Sequence, residues 1–302
     1  MRAVIGARAL ARGGAGETTV GRFEKEILLG GDNLRNLGGI SMQWAEKMDT
    51  VRGEKEIILD IDSSESPVYG EQEGATYNGH FGMKCYHSLF LFNSHGDCLK
   101  AKLRLGNVHS TEGWREFLEP VLRHYFEKGV SVKMRGDAAF ATPELYGLCE
   151  EMGIDYAIRI KDNGKLNKHV EQYMKRPVGR PGKKSIIKYI SFQYRAGSWD
   201  KERRVVAKIK HHQGELFPRI GYKVTSMKGN KKSVVKFYNR RGTCEQWIKE
   251  GKYTLNWTRL SCQGFKKNKV RLNLFIMAHN LEKIYLTLAL LETKKSWSLR
   301  TI

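Results

Sequence analysis

The chain has 302 residues, of which 40% are hydrophobic, enough to bury a sizeable core in one large domain or in one domain with an insertion. It carries 53 Lys and Arg against 32 Asp and Glu, which gives a net charge of +21. Its five cysteines include no C-x-x-C pair, which argues against a disulfide framework or a structural zinc site, and no stretch is apolar enough to predict a membrane span.

The predicted elements of the first half are helical residues 18–48, then strands and helices in alternation. A first strand runs from Ile57 to Asp62, and two more, Phe81 to Asn93 and Cys98 to Leu105, are joined by a short turn. The elements that follow are a helix with an N-cap at Thr111, a strand to Arg135, a helix from Pro143, a strand from Asp155 and a helix to Met174. This order resembles that of the ribonuclease-H-like fold.

The second half begins with a predicted basic, β-rich insertion over residues 175–230. Its predicted strands are Ile186 to Tyr194, Arg203 to Lys210 and Ile220 to Met227. The insertion opens with KRPVGRPGKK, which is either a solvated linker or a minor-groove contact. Trp199 lies in a predicted hairpin turn without apolar neighbours, where it either packs on the surface or stacks on an unpaired base.

The charge is divided unevenly between the two halves. Residues 1–171 carry a net charge of −3, whereas residues 172–302 carry +24. A basic half of this size predicts a polyanionic partner. Ribosomal or membrane-surface binding is the alternative, but the acids are concentrated in the half with the aspartate-ending strands, which favours a nuclease-like division of roles.

Two predicted strands end in aspartate. The segment IILDIDSSE places Asp60 and Asp62 at the end of the first strand, and VSVKMRGD places Asp137 after a later one. Ligands of open α/β sheets bind at the carboxyl ends of strands. Strand alternation points Asp60 and Asp62 to the same face, so geometry does not separate them. For Asp137, the alternative is a turn-capping role.

The segment YNRRGTCEQWIKEGK has helical spacing. Tyr238, Glu245 and Lys252 recur every seven residues, and Arg241 lies one turn before Glu245, so the four are predicted to share one side of a helix. A carboxylate flanked by cations and a phenol suits a site that holds a metal ion and binds phosphates. The alternative is a solvated helix face with an Arg–Glu pair.

The spacing Y-x2-R-x3-E-x6-K resembles the YREK signature of bacterial insertion-sequence transposases with an Asp-Asp-Glu (DDE) catalytic triad. The segments SPVYGEQEGATYNGHFG and WTRLSCQGFKKNKVRLNLFIMAHNL also look like family segments, so the resemblance covers most of the chain. It implies Asp62, Asp137 and Glu245 as catalytic and metal-binding residues. Asp62 is chosen because Ser63 and Ser64 follow it, as small or hydroxyl residues do in the family, and Asp60 is expected to support it.

The resemblance also implies the chemistry. All-carboxylate ligation favours hard divalent ions such as Mg²⁺ or Mn²⁺, and the family resemblance implies two of them. With these ions, a DNA strand would be cleaved at the ends of an insertion sequence. The freed 3′-hydroxyl would then attack, first the opposite strand to form a hairpin and later the target DNA. Tyr238, Arg241 and Lys252 would hold DNA phosphates. The implied partners are double-stranded DNA, as terminal inverted repeats and as target, and a second copy of the chain. No membrane partner is expected. The implied location is the bacterial cytoplasm, at the nucleoid.

The predicted fold class is therefore α/β: a ribonuclease-H-like mixed sheet flanked by helices, with an all-β insertion before the helix that carries Glu245. The predicted domains are a remnant of an N-terminal helical region (1–54), the first part of the core (55–174), the insertion (175–230), and the last part of the core with C-terminal helices (231–302). Family members extend further at both ends, so the chain is expected to be truncated. Two alternative functions stay open: an inactive DNA-binding remnant, and a ribonuclease-H-like nuclease without strand transfer.

Overall fold

A computed structural model describes residues 16–175 and 185–289 and arranges them around one nine-stranded sheet. The strands are β1 (Glu56–Pro67), β2 (Thr76–Asn78), β3 (Met83–Asn93), β4 (Cys98–Lys102), β5 (Ser131–Gly136), β6 (Asp155–Ile160), β7 (Ile186–Tyr194), β8 (Arg203–His211) and β9 (Arg219–Thr225). The helices are α1 (Glu17–Arg22, continued by a π-helical turn Phe23–Ile27), α2 (Asn33–Arg52), α3 (Trp114–Glu127), α4 (Pro143–Glu151), α5 (Gly164–Met174), α6 (Lys231–Asn239), α7 (Gly242–Glu250, continued by a π-helical turn Gly251–Leu255) and α8 (Phe265–Leu288).

The strand order is β2-β3-β1-β5-β6-β9-β8-β7, with β4 also paired to β3. Strand β1 is antiparallel to β3 and parallel to β5, which is in turn parallel to β6. The succession β4-β3-β1-β5-β6 is three antiparallel strands followed by two parallel ones, as the predicted fold requires. The α/β, ribonuclease-H-like fold class is confirmed.

The strands of the insertion continue the same sheet. Strand β9 pairs antiparallel with β6 and β8, and β7 pairs with β8. Val205, Ala207 and Val224 belong to the main hydrophobic cluster. The expectation that these strands lie outside the core is wrong, because β9 hydrogen-bonds along the edge that β6 leaves free. Residues 176–184, which hold most of KRPVGRPGKK, lie outside the described residues.

The sheet separates two apolar layers. Leu59 and Ile61 of β1 point into a layer built with α3 and α4. Asp60 and Asp62 alternate with them and are paired with Phe92 and Phe90 of β3, whose rings face α7 and α8. Because paired residues of antiparallel strands share a face, both aspartates lie on the side of the sheet that α7 covers.

The order of the predicted elements is confirmed for most of the chain, but several boundaries differ. Helix α3 begins at Trp114 after an N-cap at Gly113, so the predicted N-cap at Thr111 is wrong. The predicted helix over residues 18–48 is divided into α1 and α2, and the short strand β2 lies where no element was predicted. Across the described residues, the helices include none that is both long and apolar enough to cross a membrane.

Two buried carboxylates share one arginine where α2, the β3–β4 turn and α8 meet. Arg52 contacts Asp49 and Asp97 and donates a hydrogen bond to the Thr287 hydroxyl of α8. Burial raises the pKa of Asp49 to about 7; repulsion by Asp97 adds to this shift, and Arg52 opposes it. In the described part of the chain, Oδ2 of Asp49 has no hydrogen-bond partner. The protonated form of Asp49 is therefore the one that the fold favours.

We expect Asp49→Asn to stabilise the protein in alkaline buffer. Because the pKa of Asp49 in the folded state lies above its ordinary value of 3.8, the stability that its proton provides is lost as pH rises towards about 7. One pKa unit corresponds to about 1.4 kcal/mol, so the gain at about pH 8 should be on the order of 1 kcal/mol or more and should shrink at about pH 5. Thermal unfolding at both pH values measures it. A mutant that is equally destabilised at both would show that the Arg52 contact outweighs the cost of burying the charge.

Candidate active site

Asp62 and Asp137 lie side by side where the parallel pairing of β1 and β5 ends. The register pairs Ile61 with Gly136, so the next residue of each strand is an aspartate. Asp62 is 8% exposed, and its Oδ1 accepts a hydrogen bond from the backbone N–H of Ser63. The turn-capping alternative for Asp137 is realised, since its Oδ1 accepts from a backbone N–H in the 3₁₀ turn that follows, but this occupies only one of its oxygens.

Asp60 has a different environment. Its carboxylate is fully buried and accepts two hydrogen bonds, of 2.7 and 2.5 Å, from Arg135, its register partner on β5. Arg135 also donates to the carbonyl oxygen of Phe237 in α6, at 3.0 Å, and lies over that ring. A carboxylate with both oxygens bound to a buried arginine is not free to take a metal ion. Asp62 is thus the β1 aspartate that faces the candidate site, and Asp60 supports the strands behind it.

The segment predicted as one helix consists of two helices and a turn. Helix α6 ends at Asn239 and α7 begins at Gly242, and between them the N–H of Arg241 bonds to the carbonyl of Tyr238 in a tight turn. Lys252 lies in the π-helical turn after α7. The prediction of a single straight stripe is therefore wrong. Gly242 at the break is the sequence signal, because glycine weakens a helix interior.

Helix α7 is anchored by one face and presents Glu245 on the other. Cys244, Trp247 and Ile248 are buried at helical spacing and pack towards β3. The Glu245 side chain is 60% exposed and lies in the first turn, where the helix dipole favours an anion. At the other end, Gly251 permits the close approach of Trp257, whose ring atoms lie 2.3 Å from where a Cβ would stand.

The guanidinium of Arg241 contacts carboxylates from two elements. Its Nη2 lies 2.9 Å from Oδ2 of Asp62, and its Nη1 lies 3.4 Å from Oε1 of Glu245. Arg241 is 5% exposed, and among the described residues its Nε and Nη2 have no hydrogen-bond acceptor. The contact with Asp62 is therefore one of charge, without a well-directed hydrogen bond. Burial is the largest single influence and lowers the pKa of Arg241, but Asp62, together with Cys244, Tyr238 and Asp137, outweighs it and the net shift is upward.

The carboxylates repel one another across the space that Arg241 enters. Burial raises the pKa of Asp62 to about 6; Arg241 opposes this shift, whereas Asp137 and Glu245 add to it. Within residues 16–175 and 185–289, no three His, Cys, Asp or Glu side chains are close enough to hold one ion together, so the predicted convergence at a metal site is not present in this conformation. The oxygen donors and their mutual repulsion nevertheless fit Mg²⁺ or Mn²⁺, provided that the arginine moves.

Tyr238 and Lys252 lie on either side of this cluster. Burial raises the pKa of Tyr238, with Arg241 opposing the shift and Asp137 adding to it, so its hydroxyl belongs to the same charged environment. Nζ of Lys252 donates a 2.6 Å hydrogen bond to Oε1 of Glu65. The predicted first strand ends at Asp62, but β1 continues to Pro67 and places Glu65 next to this lysine.

Trp199 does not lie near the site. It is 6% exposed and packs edge-to-face against Tyr146 and Tyr194, with Arg203 over its ring. The prediction that it lacks apolar neighbours is wrong, because Tyr146 comes from α4, which is distant in sequence, and the nearby Tyr194 at the end of β7 packs back onto the turn. A core side chain is not available to stack on an unpaired base.

A cavity of about 690 Å³ opens beside Asp137. Tyr77 and Phe81 line it together with Lys161, which follows β6. His87, on β3, also lines it and is buried, with Nδ1 donating to a backbone carbonyl. Aromatic rings, a cation and an acid therefore share one cavity. Sequence reasoning missed it because its walls come from β2, β3, the loop after β4 and the turns after β5 and β6.

A family model described as "Transposase DDE domain group 1" matches residues 1–302. The chain belongs to this transposase family. The predicted membership in the DDE transposases is therefore confirmed. Among proteins of curated function, none matches the sequence.

Two solved structures resemble this transposase. One is the piggyBac transposase synaptic complex with hairpin DNA, with a TM-score of 0.42 and 14% identity, over 75% of this chain and 48% of that chain. The other is Marinitoga piezophila Argonaute in complex with 5′ OH guide RNA, with a TM-score of 0.29 and 12% identity, over 61% of this chain and 25% of that chain. The chain thus spans about half the length of the piggyBac transposase chain.

The two β1 aspartates should differ in their effects on stability. Asp60→Asn leaves Arg135 buried with its charge uncompensated, which should cost about 3–5 kcal/mol of unfolding free energy. Asp62→Asn removes a buried carboxyl group whose pKa burial already raises, so the unfolding free energy should change little or increase. Urea unfolding of both variants at neutral pH tests the difference. Equal losses would mean that Asp62, like Asp60, is chiefly structural.

Proposed function

We propose that this transposase cuts and joins DNA strands with Asp62, Asp137 and Glu245 as its catalytic carboxylates. The observation that carries the proposal is that Arg241 contacts both Asp62 and Glu245, while Asp137 follows β5 next to Asp62. Aspartates from the ends of two parallel strands there approach a glutamate from a separate helix. A surface Arg–Glu pair, the alternative derived from sequence, does not explain why a third and a fourth charge are brought to the same place from β1 and β5.

The three carboxylates are the residues that would hold Mg²⁺ or Mn²⁺, two ions by the family resemblance. Such ions activate the attacking oxygen and stabilise the leaving oxygen of a displacement at phosphorus. The protein fixes the donors beforehand. Asp62 is held by β1 and by the N–H of Ser63, Asp137 by its turn, and Glu245 by the packing of α7.

In the DNA-free protein, Arg241 neutralises Asp62 and Glu245. On DNA, its N–H groups without acceptors would donate to a phosphate beside the carboxylates. Lys252 would exchange Glu65 for a second phosphate. Each exchange replaces one anion by another, so neither cation is ever left without a partner.

Tyr238 would orient a phosphate through its hydroxyl. The DNA partners we propose are the terminal inverted repeats of an insertion sequence and the target duplex, and strand transfer at two ends requires at least two copies of the chain. This activity would belong in the bacterial cytoplasm, at the nucleoid. The domain division stays a proposal, with boundaries at 1–54, 55–174, 175–230 and 231–302. The strands of the insertion contribute to the core sheet.

Purified protein should nick supercoiled plasmid only when Mg²⁺ or Mn²⁺ is added. Asp62→Asn, Asp137→Asn or Glu245→Gln should each abolish nicking. Binding of duplex DNA in EDTA should stay near the wild-type level, because loss of an acid removes no phosphate contact. Gel electrophoresis and fluorescence anisotropy measure the two effects.

The matched control for these variants is Glu144→Gln, an exposed acid on α4 with the same change in charge, which should nick normally. Nicking that survives Glu245→Gln would remove that residue from the triad. Joining of labelled 3′ ends to a target duplex separates a transposase from a nuclease, since a nuclease would cut without joining.

Arg241→Gln should have opposite effects on metal binding and on cutting. Without DNA, the variant should bind Mn²⁺ at least about tenfold more tightly, because the cation that competes for Asp62 and Glu245 is gone. On DNA, it should nick more slowly, because a phosphate donor is lost. Isothermal titration with Mn²⁺ measures the first effect. The control is Arg240→Gln, an exposed neighbour, and an unchanged Mn²⁺ affinity in Arg241→Gln would contradict the exchange of partners.

A further inference from the structure

We propose that one face of the sheet extension is a second contact for duplex DNA, continuous with the candidate active site. This inference rests on the proposed function, since it gives the path of the same DNA away from the carboxylates. The surface, called here the basic face, is defined by five cations: Arg159 on β6, Lys208 and Lys210 on β8, and Arg219 and Lys223 on β9.

The strand register places these five side chains together. Arg159 is paired with Lys223, and Lys210 with Arg219. Lys208 is paired with Gly221, between them. Because paired residues of antiparallel strands point to the same side, and residues two apart on a strand do so too, all five cations share one face.

The basic face begins at the candidate active site. Nζ of Lys223 lies 5.4 Å from the ring centre of Tyr238, and Arg159 is near enough to oppose the rise in the Tyr238 pKa. Helix α6 covers the inner part of the face by packing Val234 and Val235 against β6 and β8. The opposite face is packed against α5 and the main core. Lys223 is buried beside Tyr238, whereas Arg159, Lys208, Lys210 and Arg219 are at least partly exposed.

Most of these charges have no counter-charge. Among the described residues, Arg219 forms a salt bridge, with Glu215, and the other four cations form none. Burial, together with repulsion by Lys208 and Arg159, lowers the pKa of Lys223 to about 8. Like charges at cross-strand positions destabilise a sheet, and a bound polyanion removes this cost.

Duplex DNA matches the dimensions of the face. From β6 to β8, the strands that carry the outermost cations, there are two strand spacings of about 4.8 Å, or about 10 Å, the length of about three base pairs at about 3.4 Å each. Leu216 and Phe217, in the turn between β8 and β9, are 81% and 78% exposed at the outer end. Cations beside exposed apolar residues also suit an anionic membrane, but continuity with Tyr238 and the acidic site favours DNA.

The test is the double variant Lys208→Gln/Lys210→Gln, with Lys165→Gln/Lys168→Gln as its control. The control lysines are exposed on α5, which covers the opposite face, and the change in charge is the same. Binding of a linear duplex of arbitrary sequence is measured in EDTA over a range of salt concentrations. Each phosphate contact contributes about −0.9 to the slope of log K against log salt, so the basic-face variant should flatten the slope by up to about two units. The control should keep the wild-type slope, and thermal unfolding checks that both variants fold.

Two results would overturn the proposal. One is an equal change of slope in both double variants, which would show that only net charge matters. The other is an unchanged DNA slope with loss of binding to phosphatidylserine vesicles, which would assign the face to a membrane. Plasmid nicking by the wild type with Mg²⁺ separates this inference from the proposed function. If the Lys208→Gln/Lys210→Gln variant has a flattened slope but the wild type does not nick, the basic face is supported and the catalytic proposal is contradicted. If the wild type nicks but the slope of the variant is unchanged, the catalytic proposal is supported and the basic face is contradicted.

Discussion

The buried pair of Asp60 and Arg135 is the contact on which the geometry of the candidate site depends. It joins the two parallel strands by side-chain hydrogen bonds two residues before Asp62 and Asp137. Through its third hydrogen bond, to the carbonyl of Phe237, the same arginine fixes α6, and with it the turn that leads to Glu245. Two charges buried together are stable only when their geometry is complete, so this contact specifies one arrangement of all three elements.

A consequence is that the acids are held close before any cation arrives. Asp62 cannot move away from Asp137, because both positions are set by the strand register. Burial raises the pKa of Asp62, and repulsion by Asp137 and Glu245 adds to this shift. The guanidinium of Arg241 lies buried beside Asp62, and among the described residues its Nε and Nη2 have no acceptor. Arg241 is thus an imperfect partner for the carboxylates, which fits the proposed exchange of partners on DNA.

The sheet extension links this acidic centre to the basic half of the chain. Since β9 pairs with β6, the cations of β8 and β9 stand on the same continuous surface as Tyr238. A separate β-domain could have carried the same net charge without any fixed position relative to the carboxylates. Continuous hydrogen bonding across the sheet holds these Lys and Arg side chains in fixed positions relative to the carboxylates.

The sequence by itself determined the family, the order of strands and helices, and the carboxylates of interest, because these depend on local patterns: apolar alternation, strand ends and helical spacing. It did not separate Asp60 from Asp62 by geometry, since alternation gives them the same face. Only the pairing of Asp60 with Arg135 from another strand did so. Likewise, the burial of Trp199, the contact of Lys252 with Glu65 and the position of Arg241 between two acids were decided by tertiary structure. Each depends on which distant segment packs against the residue, and neither residue spacing nor composition predicts that packing.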